Sequence, residues 1–243
     1  YLMERLVKPI YKKIHWIVGS PSTEKELIEW GFPKEQVTVI NYCVDHNVFR
    51  QTGVEKLPFP AIGYLGRLKK YKSIEHLLQA AKIVVQKIPD LKVYIVGDGD
   101  NKENLERLSK DLGLENNVIF TGFVSEEEKI EYLQKMHFIV NTSSKEGWGL
   151  TVVEANACGR TVVAANVQGL RDSVINGKTG LLYEYGNIEE LAEKILYLFN
   201  NPSVVNELEQ NAIKWAKSFN WDEAAEKTLK ILENCISNHK KSK

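Results

Sequence analysis

The residues best suited to chemistry fall in two short stretches. One runs Asn141-Thr142-Ser143-Ser144-Lys145-Glu146-Gly147-Trp148-Gly149-Leu150-Thr151-Val152-Val153-Glu154, with two glutamates separated by seven residues and two glycines around a tryptophan. The other, Gly66-Arg67-Leu68-Lys69-Lys70-Tyr71-Lys72, brackets a loop with two cations. Glycines at a helix start let backbone N–H groups approach an anion, and the helix dipole adds to their pull on phosphate. An arginine fork and a lysine point charge can together neutralise a diphosphate. Carboxylates accept paired hydrogen bonds from diols, on a ribose or a sugar ring. Glu146 precedes the glycine turn and can point into a cleft, while Glu154 lies about one turn into the helix, near the same mouth. Neither has an evident partner that would raise its pKa, so a glycosidase-type acid and base pair is not required.

Each of these residues also has a plainer reading. Arg67 and Lys72 share their run with Lys69 and Lys70 and would suit a solvated basic loop. Gly147 and Gly149 would suit a turn that merely starts a helix. Glu154 would suit an exposed helix surface near the positive end of the dipole. Gly97-x-Gly99 resembles the start of a dinucleotide fingerprint, but the third glycine is absent, since Glu103 follows Lys102. Asp98 and Asp100 suit turns better than chemistry. The five histidines have no ligand spacing, and no metal site is expected.

The elements that must position these residues can be read from periodicity. Strands are expected at 14–20, 37–40, 60–66, 92–97, 117–122, 137–141, 161–165 and 180–183. Helices are expected at 23–31, 73–88, 102–113, 125–136, 150–159, 187–200, 203–219 and 222–236. Thr23 with Glu26, and Ser125 with Glu128, have capping-box spacing. Residues 41–60 read as a linker and 238–243 as a frayed polar tail. Short β-branched runs alternating with amphipathic helices predict a doubly wound α/β domain on a parallel sheet. The residues just after the strands support a ligand rim. Gly66-Arg67, Gly97-Asp98-Gly99, Thr121-Gly122-Phe123-Val124 and the Asn141–Gly147 run all sit where strands of such a sheet end.

The 243 residues suffice for one large domain or two small ones. A formal net charge of +0 supplies no global field, so nucleic acid is not an expected partner and an anion site must come from local geometry. Three cysteines, Cys43, Cys158 and Cys235, are too few and too scattered for a disulfide framework, and a reducing, cytoplasmic setting is expected. No signal peptide and no bilayer-spanning apolar run is evident.

The stretches 63–73, 96–99, 120–124, 146–155, 159–174 and 176–182 together resemble the C-terminal half of retaining glycosyltransferases of family 4, which have the GT-B fold. Val39, Ile40, Asn41, Val44, Asp45 and Phe49 resemble that family's interdomain segment. The resemblance implies that Arg67 and Lys72 hold the diphosphate of a nucleotide diphosphate sugar, and that Glu146 hydrogen-bonds the transferred sugar. It implies that Leu150 and Thr151, with Gly66, Gly147 and Gly149 around them, offer backbone to phosphate, and that Glu154 accepts from the ribose. The Phe123-Val124 backbone would lie against the base. It further implies transfer with retention, no cofactor, no divalent metal, and an acceptor that is a sugar, a lipid or a small molecule. Two departures stand out: the family often has Lys-Gly where this chain has Lys72-Ser73, with Ser73 expected to cap the following helix, and Asn-Gly-Val-Asp near Asn41–Asp45.

A GT-B enzyme has two Rossmann-like lobes around its cleft, so this chain is expected to be the donor-binding half plus the tail of its partner. The expected division is 1–58 for the end of the acceptor-side domain and linker, 59–200 for the nucleotide-sugar domain, and 201–243 for C-terminal helices and tail. Peripheral membrane contact through the missing domain is a further expectation. Two rivals remain at this level: a nucleotide-sugar-binding module without catalysis, and a nicotinamide-dependent oxidoreductase using Gly97-x-Gly99.

Overall fold

The computed structural model describes residues 10–11 and 14–241. Six parallel strands form the main sheet: β3 (Ala61–Leu65), β4 (Lys92–Val96), β5 (Val118–Gly122), β6 (Phe138–Asn141), β7 (Val162–Ala165) and β8 (Gly180–Tyr183). Their spatial order is β5-β4-β3-β6-β7-β8, every neighbour parallel. This is the doubly wound order, with the chain reversing its direction of travel between β3 and β6. Strands β3, β6 and β7 are buried at every position, as expected of strands covered on both faces. A separate parallel pair, β1 (Trp16–Val18) and β2 (Val37–Val39), flanks α1 (Pro21–Glu29).

The helices pack in two groups. α2 (Ile74–Val84) lies against α3 (Lys102–Asp111) and α7 (Ile188–Asn200). α4 (Glu126–Lys135) precedes β6, and α5 (Leu150–Ala157) packs on the short α6 (Leu170–Ser173) and on α8 (Pro202–Ala216). Ile74, Leu77, Leu78, Ala81 and Val84 of α2 are fully buried at the spacing of one helical stripe. Each buried Leu or Ile contributes about 1.5–3 kcal/mol of apolar transfer. The small unit has its own cluster of Val18, Leu27, Phe32 and Val37. Cys43, Val44 and Phe49, from the segment after β2, enter the large core instead.

Three details depart from the sequence reading. α1 begins at Pro21, with Ser20 as its N-cap accepting from Thr23 N–H at 3.2 Å. Proline's fixed φ suits the first helical position, so the helix starts two residues before the expected Thr23 box, and Glu26 is free for another use. Ser73 does not cap α2 with its side chain: its φ is 48° and its hydroxyl meets Tyr185 Oη at 2.8 Å. A left-handed residue after Lys72 is where glycine is comfortable, which accounts physically for a Lys-Gly alternative at this point. The expected frayed tail is helical instead, α9 running Trp221–Lys241, and residues 242–243 lie outside the described residues. The Ser125/Glu128 capping box at the start of α4 is present in both directions.

Candidate functional site

Two loops meet at the reversal point between β3 and β6, where open parallel sheets bind ligands. Tyr71 O accepts from Ser144 N at 2.8 Å and from Ser144 Oγ at 3.0 Å. Thr142 Oγ1 donates to Lys72 O at 2.9 Å. These bonds hold the loop after β3 against the loop after β6. On the other side, Leu68 N donates to Asp98 O at 2.9 Å and Asn101 N to Leu68 O at 2.9 Å, tying the first loop to the turn after β4. Gly97 and Gly99 are needed for this approach: a Cβ on Gly97 would stand 2.0 Å from Gly66 O, and one on Gly99 2.4 Å from Leu68 O. Their spacing is thus explained by packing of one loop on the next.

The basic run divides. Lys69 pairs with Asp100 and Lys70 with Glu75, at 2.7 and 2.8 Å, on the outside. Lys72 Nζ pairs with Glu146 Oε1, and Ser143 Oγ donates to the same oxygen at 2.7 Å. The Lys72 and Glu146 side chains are only 12% and 15% exposed. Arg67 stays exposed and donates from Nη2 to Tyr71 Oη at 3.2 Å, while Lys72 Nζ lies 5.0 Å from the Tyr71 ring centroid. Tyr71 therefore links the two cations, through its hydroxyl to one and its ring face to the other. Tyr64 Oη donates to Arg67 O at 3.1 Å and pins the base of the loop; burial pushes its phenol far above the usual range.

Glu146 is fixed from behind. Its N–H donates to Gln168 O at 3.1 Å, and a Cβ on Gly169 (φ +80°) would stand 2.2 Å from Glu146 O. Gly149 is left-handed at φ +83° and is the N-cap of α5, so the first amides of α5, Leu150 and Thr151, are turn-end donors without an intrahelical acceptor. Gly147 differs: a Cβ there would meet nothing within 4 Å. Trp148 is not a site residue. It is 3% exposed, its Nε1 donates to Tyr42 O at 3.1 Å, and its ring packs edge-on against Phe219. The tryptophan anchors the glycine turn to the core, with Gly149 packed beside it and Gly147 left at the surface.

Farther along the rim, Gly66, Arg67, Asp98, Phe123, Val124 and Lys129 line an open cavity of about 250 Å³. Phe123 is 86% exposed at its edge. A larger cavity of about 600 Å³, between Lys56, His137, Phe199 and Glu209, starts from the opposite, N-terminal ends of β3 and β6 and belongs to no strand-end loop. Beside the smaller cavity stands Glu154, and here the exposed-helix reading is corrected: Glu154 is 8% exposed. Lys129 Nζ donates to its Oε1 at 2.8 Å. Burial pushes the Glu154 carboxyl above the usual range, and the Lys129 hydrogen bond opposes that shift without cancelling it. Its position in the first turns of a helix, near the core, is what buries it.

The structure thus brings Arg67, Lys72, Glu146, Gly147, Gly149, Leu150 and Thr151 to one mouth, with Phe123, Val124 and Glu154 at its other end. Sequence reasoning missed Tyr71, Ser143, Gln168, Lys129 and Glu26. Glu26 of α1 accepts from Lys145 Nζ at 2.8 and 3.0 Å and from Gln168 Nε2 at 2.7 Å. Burial works against its charge, but those two donors outweigh burial and hold its carboxyl below the usual range. These contacts span up to 142 residues of sequence, so no local pattern announces them. Tyr71 and Ser143 carried a signal, lying inside the stretches that hold Arg67, Lys72 and Glu146. Among the described residues, no three His, Cys, Asp or Glu side chains gather as a metal-binding group, and no helix is long and apolar enough to cross a membrane.

A doubly wound sheet with cations, helix-start amides and carboxylates at its reversal point defines an α/β domain of Rossmann type with a site suited to a phosphorylated ligand. Residues 45–215 match the family of glycosyl transferases group 1, and the chain belongs to that family. It is 33% identical over 202 residues to a poly(ribitol-phosphate) alpha-N-acetylglucosaminyltransferase of Staphylococcus aureus, covering 82% of this chain and 40% of that relative. Among solved structures, a sucrose-phosphate synthase from Thermosynechococcus elongatus superposes with a TM-score of 0.87 at 26% identity, over 98% of this chain and 62% of that one. A mutant TarM of S. aureus, solved as a complex that includes UDP, gives a TM-score of 0.80 at 27% identity, over 89% of this chain and 43% of that one. The chain spans 40–56% of the length of the first four curated relatives it matches. Family membership, together with the packing role of Gly97 and Gly99, removes the oxidoreductase reading.

Proposed function

We propose that this chain is the donor-binding part of a retaining, family 4 glycosyltransferase that moves a sugar from a nucleotide diphosphate sugar to an acceptor. The observation that carries the reading is the meeting of Lys72, Glu146 and the α5 start at the strand-order reversal, with Arg67 held beside them by Tyr71. In this reading the diphosphate lies between Arg67, Lys72 and the amides of Leu150 and Thr151. Glu146 accepts from sugar hydroxyls, Glu154 from the ribose, and the base enters the cavity at Phe123 and Val124. The bond from the anomeric carbon to the phosphate oxygen breaks as the acceptor oxygen bonds to the same carbon from the same face. The acceptor's proton passes to the departing diphosphate. Negative charge grows on that diphosphate, and fixed cations and amides stabilise it most where charge develops.

The cations serve in place of a divalent metal in this reading. A structural relative bound to UDP and a sequence relative named for an α-linked sugar support the donor class. The reading divides the chain at 58 and 200, as the sequence suggested. The separate small core of β1, β2 and α1 supports the first boundary, and exposed Ile17, Trp30 and Tyr42 suit a continuing lobe. The acceptor, a cytoplasmic location and any membrane contact belong with that lobe.

Calorimetric titration of the chain with UDP-, GDP- and ADP-sugars tests the reading. Saturable binding of one series, lost in Lys72→Ala, supports it. No binding in any series overturns it. Binding without any sugar transfer, in the chain and in the full-length enzyme alike, favours the binding-module alternative.

A further inference from the structure

Lys129 has no role in the family resemblance and none in the site as read from sequence. Its ammonium is nevertheless placed with care. Nζ donates to Glu154 Oε1 at 2.8 Å and sits 4.7 Å from the ring centroid of Phe49. Phe49 is buried and comes from the distant segment that follows β2. Lys129 lies in the first turns of α4, directly after Glu128 of the capping box that fixes the helix start, and its N–H donates to Ser125 O at 2.9 Å. It also lines the 250 Å³ cavity with Phe123 and Val124. Glu154 Oε2, by contrast, has no hydrogen-bond partner among the described residues and is not fully buried, which leaves it available to a ligand.

We propose that Lys129 is the positioning residue of the ribose end: it occupies Oε1 of Glu154 and so presents Oε2, alone and in a fixed direction, to the vicinal hydroxyls of the nucleotide. The inference rests on the reading of Glu154 as the ribose acceptor. A carboxylate rotates freely about its last bond, and two free oxygens would offer two acceptor geometries. One charged donor bond selects one of them. The Phe49 ring face holds the ammonium from the other side, so the selection is enforced by two distant parts of the chain.

Lys129 has a second effect. Glu154 is buried and faces Lys129 and Glu126 on α4 and the Cys158 thiol on its own helix. Burial and Glu126 oppose its charge; Lys129 is the group that favours it. Without Lys129, Glu154 would take up a proton at higher pH. A protonated carboxyl is a poorer acceptor for a diol.

The test uses the whole 243-residue chain and whichever of UDP, GDP and ADP the native protein binds most tightly, alongside its 2′,3′-dideoxy analogue. Lys129→Met keeps the stem and removes the charge. It is expected to weaken the ribonucleotide about five- to tenfold at pH 8.5, with a larger loss as pH falls, and to leave the dideoxy analogue within twofold at every pH. Lys129→Arg, which can still donate to Oε1, is expected to restore ribose discrimination. A loss equal for both nucleotides, or no loss at any pH, overturns the proposal. If Lys129→Met does not fold, Lys129→Leu, which also lacks a donor, decides by the same comparison. Glu154→Gln separates the two readings: if it leaves ribose discrimination intact, the assignment of Glu154 fails, whereas if it abolishes discrimination while Lys129→Met and Lys129→Leu do not, only the role of Lys129 fails.

Discussion

The two ends of the site each hold a glutamate beside a lysine, but by different means. Glu146 sits on a loop. Its lysine comes from a second loop, Ser143 shares the same oxygen, and Gln168 and Gly169 hold its backbone. Glu154 sits on a helix, in the wall of the large core. Its lysine comes from the helix before β6, and burial weighs against its charge. The loop carboxylate owes its place to hydrogen bonds among polar groups at the mouth, and the helix carboxylate owes its place to packing. The two should therefore respond differently to ligand, to mutation and to pH.

The largest contrast is expected from Glu146→Ala in the full-length enzyme. If Glu146 touches only the transferred sugar, kcat falls about a hundredfold, the value of one charged hydrogen bond near 3 kcal/mol. Affinity for free nucleoside diphosphate stays close to native, because that ligand lacks the sugar. Stopped-time assays with calorimetry measure both; an equal loss of nucleotide affinity in Glu146→Ala and Glu154→Ala would erase the comparison.

Arg67→Ala and Lys72→Ala come next. Each is expected to weaken nucleoside diphosphate binding by about 1.5–3 kcal/mol, as for a charge-assisted contact, with nucleoside binding barely changed. Loss of both ligands in parallel would mean that neither cation reaches phosphate.

Glu154→Gln is expected to cost about tenfold in ribonucleotide affinity, near the value of one hydrogen bond to a charged group. The fold should not suffer. A carboxyl whose folded pKa is raised binds more protons folded than unfolded between the two values. Its contribution to stability therefore falls as pH rises through that interval, and its charge is a net cost above it. Replacing it by a neutral amide, which can still accept from Lys129, should leave Tm at pH 8 unchanged or higher, and the advantage should vanish well below pH 4. A lower Tm at pH 8 would show that the pair with Lys129 outweighs burial.

The smallest effects separate the two glycines of the turn. Gly147→Ala meets open space and should leave Tm unchanged while weakening nucleoside diphosphate a few-fold, about 1 kcal/mol on the scale of one lost backbone contact. Gly149→Ala places a Cβ 2.8 Å from Ser173 Oγ at a positive φ, so it should lower Tm as well. Indistinguishable melting of the two variants would contradict the division between a surface glycine and a packed one.

Much of this fold is legible in the sequence because its signals are local. A β-branched run such as Val93–Val96, or a buried stripe such as Ile74–Val84, states its own period. The Ser125/Glu128 box is legible for the same reason: both bonds lie within four residues. The Thr23/Glu26 spacing misleads because a nearer competitor, Ser20 with Pro21, offers a better start, and Glu26 has a partner that sequence distance hides. Lys129 escapes notice in the same way, and Tyr71 and Ser143, though inside the candidate stretches, show only in the fold which groups they bridge.

The alternating elements, the parallel sheet, the rim on which glycines and charged residues collect, and the group 1 family resemblance are all written in the order of residues along the chain. They follow from periodicity and from short motifs, which need no knowledge of what lies across the molecule. It takes the folded chain to settle which lysines of the run 67–72 face the site, that Trp148 is an anchor, that Gly97 and Gly99 serve loop packing, and that Glu154 is buried and held by Lys129. Burial and pairing are properties of neighbours in space. A side chain's charge and reach are written in its own position, but what opposes or supports that charge arrives from residues tens of positions away.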